Sequence, residues 1–183
     1  MRLAAAALLF CVVLPAWAAA DRRYVLDAEA SRAHFQLQAL GWWPIRGDTG
    51  ASGTVEIGEE RVTIDARVPL ASLRMNRAGY RDWALSPEFF WAARHPELHF
   101  RAEAVPRARL RDGGDIVGEL AVRGHRRKVR FMLVGSDCAS AAPACRVRAS
   151  GELSRRAFGM RSRRLTLGDR IRIELDLRLV AAP

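Results

Sequence analysis

From Arg32 almost to the C-terminus, with one break, stretches of apolar residues recur at every second position, and that period decides what this chain can fold into. Ala33, Phe35, Leu37 and Ala39 alternate with Arg32, His34, Gln36 and Gln38. Val62, Ile64, Ala66 and Val68 alternate with Thr63, Asp65 and Arg67, and Leu98, Phe100, Ala102 and Ala104 with His99, Arg101 and Glu103. Val55 and Ile57 mark a shorter stretch. The pattern returns at Ile116, Gly118, Leu120 and Val122, at Val129, Phe131 and Leu133, and at Val147, Ala149, Gly151 and Leu153. It is cleanest at Ile171, Ile173, Leu175, Leu177 and Leu179. A period of two places one apolar and one polar face on each strand. Turn residues at Gly58-Glu59-Glu60, Asp112-Gly113-Gly114 and Gly124-His125 join the strands in antiparallel fashion. No long helix is present in the pattern to cover a second sheet face, so the sheet must close on itself. The expectation is an all-β fold, an antiparallel eight-stranded barrel with a short helical insert.

Small residues recur on the inward faces at Ala33, Ala39, Ala66, Ala102, Ala104, Gly118, Ala149 and Gly151. An eight-stranded barrel can be packed solid or hold one small ligand, and small inward residues favour the second. The insert lies between Val68 and His95, where the alternation stops. Ser86-Pro87-Glu88-Phe89-Phe90-Trp91 reads as a capped helix start, because Ser is a preferred N-cap and Pro suits the first helical position. The residues from Gly79 to Leu85 read as a preceding helical turn with Trp83 and Leu85 inward. Such an aromatic insert is either a lid over the barrel mouth or a plug in its end.

The N-terminus reads as an export signal. Arg2 supplies the positive start, Leu3 to Leu14 the apolar core, and Ala16-Trp17-Ala18 or Ala18-Ala19-Ala20 the small-residue cleavage site. Residues 1–18 are therefore expected to be removed, with cleavage after 18 or 20, leaving a barrel domain over 21–181. Export to the periplasm leaves Cys138 and Cys145 as a pair in an oxidising compartment, which implies a disulfide across a loop tip.

The chain of 183 residues carries 30 basic and 20 acidic residues, and Lys128 is its single lysine. The arginines are spread along the chain, with short clusters at 123–130 and 155–164. Neither is interleaved with stacking aromatics, so nucleic acid is not an expected partner. A solvated surface is the first reading of this charge. Transient contact with an anionic membrane surface is the leading functional one.

These residues together resemble a known family. Tyr24-Val25-Leu26-Asp27, Ser31 to Phe35, Ile45-Arg46-Gly47 and Gly53-Thr54-Val55 are followed by Leu70-Ala71-Ser72-Leu73, Arg81-Asp82 and Ser86-Pro87-Glu88-Phe89-Phe90. Next come His95-Pro96-Glu97-Leu98-His99-Phe100, Gly118 to Gly124, Leu153 to Gly159, and Leu167-Gly168-Asp169. In number and order they resemble the YceI-like family of exported, lipocalin-like barrels associated with polyisoprenoid lipids. The resemblance implies a lipocalin-like fold and an isoprenoid ligand of polyprenyl or ubiquinone type, without a covalent cofactor. Ala30, Ala39 and Ala84 stand where the family commonly has His, which leaves a more apolar interior.

No catalytic constellation stands out. His34, His95, His99 and His125 lack metal-site spacing, and no Gly-x-Ser-x-Gly elbow occurs. Arg81-Asp82 reads as an ion pair anchoring the insert. Arg155 reads first as a fixture of a barrel end and second as a lipid head-group contact. The expectation is a non-enzymatic binding or carrier protein enclosing a long-chain isoprenoid. Its expected lining is Phe35, Leu37, Ile64, Val68, Phe100, Leu120, Val122, Phe131, Leu133, Leu153 and Ile173, with Phe89 and Phe90 near the mouth. The alternative is a solidly packed envelope-stress or structural barrel that acts through protein contacts. A cavity of several hundred Å³ would favour binding, and a filled interior the alternative.

Overall fold

The structure, a computed structural model, describes residues 22–77, 79–138 and 142–182; the expected signal segment lies outside them. The strands in chain order are β1 (Arg22–Leu26), β2 (Arg32–Ala39), β3 (Trp43–Gly50), β4 (Ser52–Ile57), β5 (Arg61–Pro69) and β6 (Arg74–Met75). A six-residue helix α1 (Tyr80–Leu85) precedes β7 (Glu97–Pro106), and a single helical turn α2 (Arg109–Asp112) precedes β8 (Gly114–Val122). Then follow β9 (His125–Ser136), β10 (Ala144–Ser154) and β11 (Arg170–Ala181).

Eight strands close a ring in the order β1-β4-β5-β7-β8-β9-β10-β11, with β11 returning to β1 through Tyr24↔Ala181 and Leu26↔Leu179. All pairings are antiparallel, so the barrel expected from the alternation is the barrel observed. β2 and β3 extend two staves of this ring beyond β1 and β4. β11 pairs with β2 over Arg172–Asp176 and with β1 only further along.

The break between β1 and β2 would leave backbone groups of β11 without partners. Ser31, fully buried, fills the gap. Its Oγ accepts from the Arg178 amide at 3.0 Å and donates to the Arg178 carbonyl at 3.2 Å, which the Asp27 amide also reaches at 2.8 Å. The Asp27 carboxylate in turn accepts from the Glu29 and Ala30 amides, folding the link into a tight turn.

The interior has two packed ends. At one, Tyr24, Val62, Val105, Leu110 of α2, Leu133 and both cysteines form a solid core. The expected disulfide is present, with Cys138 and Cys145 joined at 2.08 Å; residues 139–141 at the loop tip lie outside the described residues. At the other end Leu37, Leu70, Ala84, Phe89, Phe90, Phe158 and Met160 pack together under the insert.

Two local expectations are corrected. Ala104 does not face inward: it is exposed, with φ at 58°, where the register between β5 and β7 shifts. The extra residue of this bulge hands the inward position to Val105, which is 5% exposed. Ser86 ends a helix rather than starting one. Pro87 disfavours helical backbone at Ser86, which takes ψ at 165° and donates its amide to the Trp83 carbonyl. Its Oγ still accepts from the Glu88 amide. The chain then runs through successive turns to His95, with Trp91 in the left-handed region at φ 53°. The side chain of α1 that faces the core is Ala84, while Trp83 and Leu85 are half-buried.

Candidate functional site

Between the two packed ends lies a cavity of about 180 Å³ whose wall presents apolar atoms only. Phe35, Leu37, Ile64, Val68, Phe89, Phe90, Phe100, Leu120, Val122, Phe131, Leu153 and Ile173 all line it. Leu133 does not. It is one strand step further along β9 than Phe131 and is buried in the solid core beside the disulfide. The alternation places Leu133 on the correct face but carries no information about depth along the barrel axis.

Residues outside the alternation complete the wall. Leu70 and Leu73 come from the turn that leaves β5, and Phe158 and Met160 from the helical turn that follows β10. Within the alternation, Leu98, Ile116, Val147, Ile171, Leu175 and Leu177 also line the cavity, beyond the strand positions expected to do so. The sequence signal for Leu70, Leu73 and Phe158 is their membership of the segments Leu70 to Leu73 and Leu153 to Gly159, not any periodicity; Met160, one residue past the second segment, carried no signal.

The small inward residues act in two ways. Ala33, Ala66 and Ala149 line the cavity directly. The glycines instead receive aromatic rings: Phe131 lies over its cross-strand partner Gly151, Phe35 over Gly47, and Phe100 over Gly118. Each ring folds down onto bare backbone and stays out of the barrel centre. Phe100 and Phe131 then meet edge to face, with centroids 5.4 Å apart.

The insert covers one end of the cavity. Phe89 and Phe90 face the cavity, with Trp83 packed at a tilt against Phe89, centroids 5.0 Å apart. Glu88 latches the insert to the loop before β11. Its carboxylate accepts from Trp83 Nε1 at 3.1 Å and pairs with Arg163 at 3.6 Å, and its carbonyl accepts from Ser162 Oγ at 3.2 Å. Arg81 anchors the insert as expected, but not through Asp82. Its guanidinium donates to the Leu73 and Ala71 carbonyls at 2.9 and 3.1 Å.

Arg155 fixes the barrel end. It is fully buried, and its guanidinium donates to the carbonyls of Gly168, Met160, Ser162 and Leu167. Burial pushes its pKa down and neighbouring Arg156 adds to this, while Asp169 opposes them. A guanidinium keeps its charge through such a shift. With its donors committed to carbonyls, Arg155 holds the loop over residues 160–168.

The four histidines are dispersed. His34 and His125 are exposed, His95 packs against Trp91 at 5.9 Å, and His99 bonds Asp65 at 3.0 Å on the outer wall. A recess of about 450 Å³ lies outside the barrel along β2, β3 and β11. Arg46, Asp48, Arg172 and Glu174 give it mixed charge, which suits no apolar ligand.

The YceI-like domain family model matches residues 24–179. No curated protein matches the chain. Among solved structures, Burkholderia cenocepacia BcnA superposes with a TM-score of 0.71 at 17% identity, covering 84% of this chain and 98% of its own. A polyisoprenoid binding domain from Saccharophagus degradans, implicated in plant cell wall breakdown, gives 0.68 at 13% identity and covers 87% and 98%. The Campylobacter jejuni YCEI protein gives 0.60 at 14% identity and covers 75% and 84%. At these identities the likeness is one of fold.

Proposed function

The chain belongs to the YceI-like domain family, and we propose that it is a periplasmic binding or carrier protein that encloses the tail of an isoprenoid lipid of polyprenyl or ubiquinone type. The observation that carries this reading is the wholly apolar cavity under an aromatic lid. A tail gains about 0.8 kcal/mol per buried CH₂, before the costs of association. No polar atom is exposed on the wall, and the Thr49 hydroxyl at its edge is already bonded to the Pro69 carbonyl and Ser72, so nothing inside would hold a head group, which stays at the lid. The polyisoprenoid-binding relative supports this ligand class.

The cavity volume refines the reading. At about 180 Å³ it is smaller than the ~300–1,000 Å³ usual for ligand pockets. It is comparable with a cavity of ~150 Å³ that admits benzene. The resting barrel therefore takes the end of a chain, and a longer tail enters only as Phe89 and Phe90 swing away. The volume falls short of the several hundred Å³ that would favour binding by size alone; what supports the binding reading over a packed barrel is that the interior is not filled and that its exposed wall is apolar. The role is binding rather than catalysis. Residues 21–181 form the lipid-binding domain after a leader over 1–18, and the disulfide suits an exported protein.

The test is Phe100→Asp, which puts a carboxylate on the cavity wall. Titration with a short-chain ubiquinone should show binding lost while far-UV circular dichroism stays that of a β-barrel. Binding unchanged per folded molecule would contradict the assignment.

A further inference from the structure

The lid end of the barrel carries a surface that the enclosed ligand does not explain. Leu40 is 62% exposed, Trp42 68% and Leu165 completely. They belong to two neighbouring loops. The Leu40 amide donates to the Thr166 carbonyl at 2.7 Å, and Ala39 bridges Leu167. Trp42 packs edge-on against Trp43, which leans on the core at this end and carries the Arg77 guanidinium over its ring at 4.3 Å.

The turn that presents Leu40 makes the exposure harder to dismiss. Leu40 and Gly41 both take positive φ, at 51° and 81°, and the Trp42 amide closes the turn onto the Ala39 carbonyl. A turn of this geometry favours Asn-Gly or Asp-Gly. Leu at its first position is disfavoured by backbone and by solvent together. Strain at an exposed apolar tip is a feature that function, rather than folding, accounts for.

Charge surrounds these tips. Residues 155–168 contain five arginines and no acidic residue. Arg155 is committed inside, but Arg161, Arg163 and Arg164 are exposed beside Leu165, and Arg77 is exposed beside Trp43. Projecting Leu and Trp side chains ringed by arginines match the two layers of a bilayer surface. The apolar tips suit the acyl boundary, the indole suits the interface, and the guanidiniums suit the phosphates.

We infer that the lid end docks onto an anionic phospholipid bilayer, with Leu40, Trp42 and Leu165 inserted and Arg77, Arg161 and Arg164 on lipid phosphates. Docking there brings the lid of the cavity against the membrane. The surface stands on its own observations; its purpose, passing an isoprenoid tail between bilayer and cavity, rests on the proposed function.

The test uses the mature chain and isoprenoid-free vesicles of phosphatidylglycerol and phosphatidylethanolamine, with phosphatidylcholine vesicles as the neutral comparison. Cosedimentation should occur with the anionic vesicles and fall at least tenfold with the neutral ones. Leu40→Ser/Trp42→Ser/Leu165→Ser should lower anionic binding at least tenfold, as should Arg161→Gln/Arg164→Gln. Bromine-labelled acyl chains should quench the wild-type tryptophan fluorescence, and Trp42→Phe should lose most of that quenching. None of these residues lines the cavity, so ubiquinone binding in vesicle-free solution should persist in every variant. Anionic binding that survives the triple serine variant would overturn insertion, as would absence of vesicle binding altogether. Sedimentation showing a dimer that dissociates on the triple substitution would overturn it too, by assigning the tips to a second copy. Loss of ubiquinone binding with vesicle binding intact would defeat the proposed function and leave the docking surface standing.

Discussion

The ring of Phe100 lies over Gly118: a β-carbon on Gly118 would stand 2.5 Å from Phe100 Cζ and 2.6 Å from its Cε2. Gly151 and Phe131 repeat the arrangement, at 2.6 Å to Cδ1. In both places the glycine makes room for a ring at the wall, and the ring leaves the barrel centre free. The cavity thus depends on glycines that line none of it.

Substituting Gly118→Ala should therefore reduce both stability and ligand capacity. The new methyl displaces Phe100 toward the cavity and also crowds the Arg101 carbonyl, 2.6 Å away. Overpacking of this kind costs about 1–3 kcal/mol. Thermal melts should show the loss, and ubiquinone affinity should fall. Adding Phe100→Leu should recover part of the stability. Full additivity of the two substitutions would contradict the coupling.

Ser31→Ala should destabilise the barrel without touching the cavity. It strips the Arg178 amide of its partner where β11 passes from β1 to β2. A buried group left unsatisfied costs about 1–3 kcal/mol. Urea denaturation measures this, and an unchanged midpoint would contradict it.

Arg155→Met should cost more, on the order of 3 kcal/mol, because four carbonyls lose a charged donor at once. Limited proteolysis should then cut within 160–168. Lysine should rescue poorly, since an ammonium cannot reproduce the planar fork of donors. A variant with wild-type stability and proteolysis would remove Arg155 from this role.

The alternation made the closed barrel legible, together with ten of the expected cavity-lining positions, because one face of each strand turns to the interior; Phe89 and Phe90 came from the insert instead. It did not disclose β1, which is only five residues, nor β3, where Trp43-Pro44 and Gly47 interrupt the pattern. The bulge at Ala104 was equally hidden, since a single left-handed residue leaves composition unchanged. Leu133 shows the same limit in the site: period two reports a face, whereas cavity or core is decided by distance along the axis. Ser86-Pro87 satisfied the rules for starting a helix, yet the proline's restriction on its predecessor ended one instead.

Glu88→Gln should speed ligand exchange several-fold with little change in melting temperature. Glu88 joins Trp83, Arg163 and Ser162 across the lid, but its ion pair with Arg163 is exposed, and such pairs contribute about 0–1 kcal/mol to stability. Stopped-flow dissociation of bound ubiquinone reads the effect, and unchanged rates would show that the latch does not limit access.

Replacing both Cys138 and Cys145 by Ser should cost about 2.5 kcal/mol in loop entropy for a loop of this length, and more for placing two hydroxyls in the solid core. The bridge sits in the solid end of the barrel, away from the lid, so ubiquinone affinity should be unaffected. Affinity that falls with the bridge would place the two ends in communication.

The most direct measurement is native mass spectrometry of the protein purified after export, followed by organic extraction of whatever it carries. A single co-purifying species of isoprenoid mass, absent from Phe100→Asp, is the expected result. Protein that emerges empty and remains empty when quinones and polyprenols are added would contradict the account.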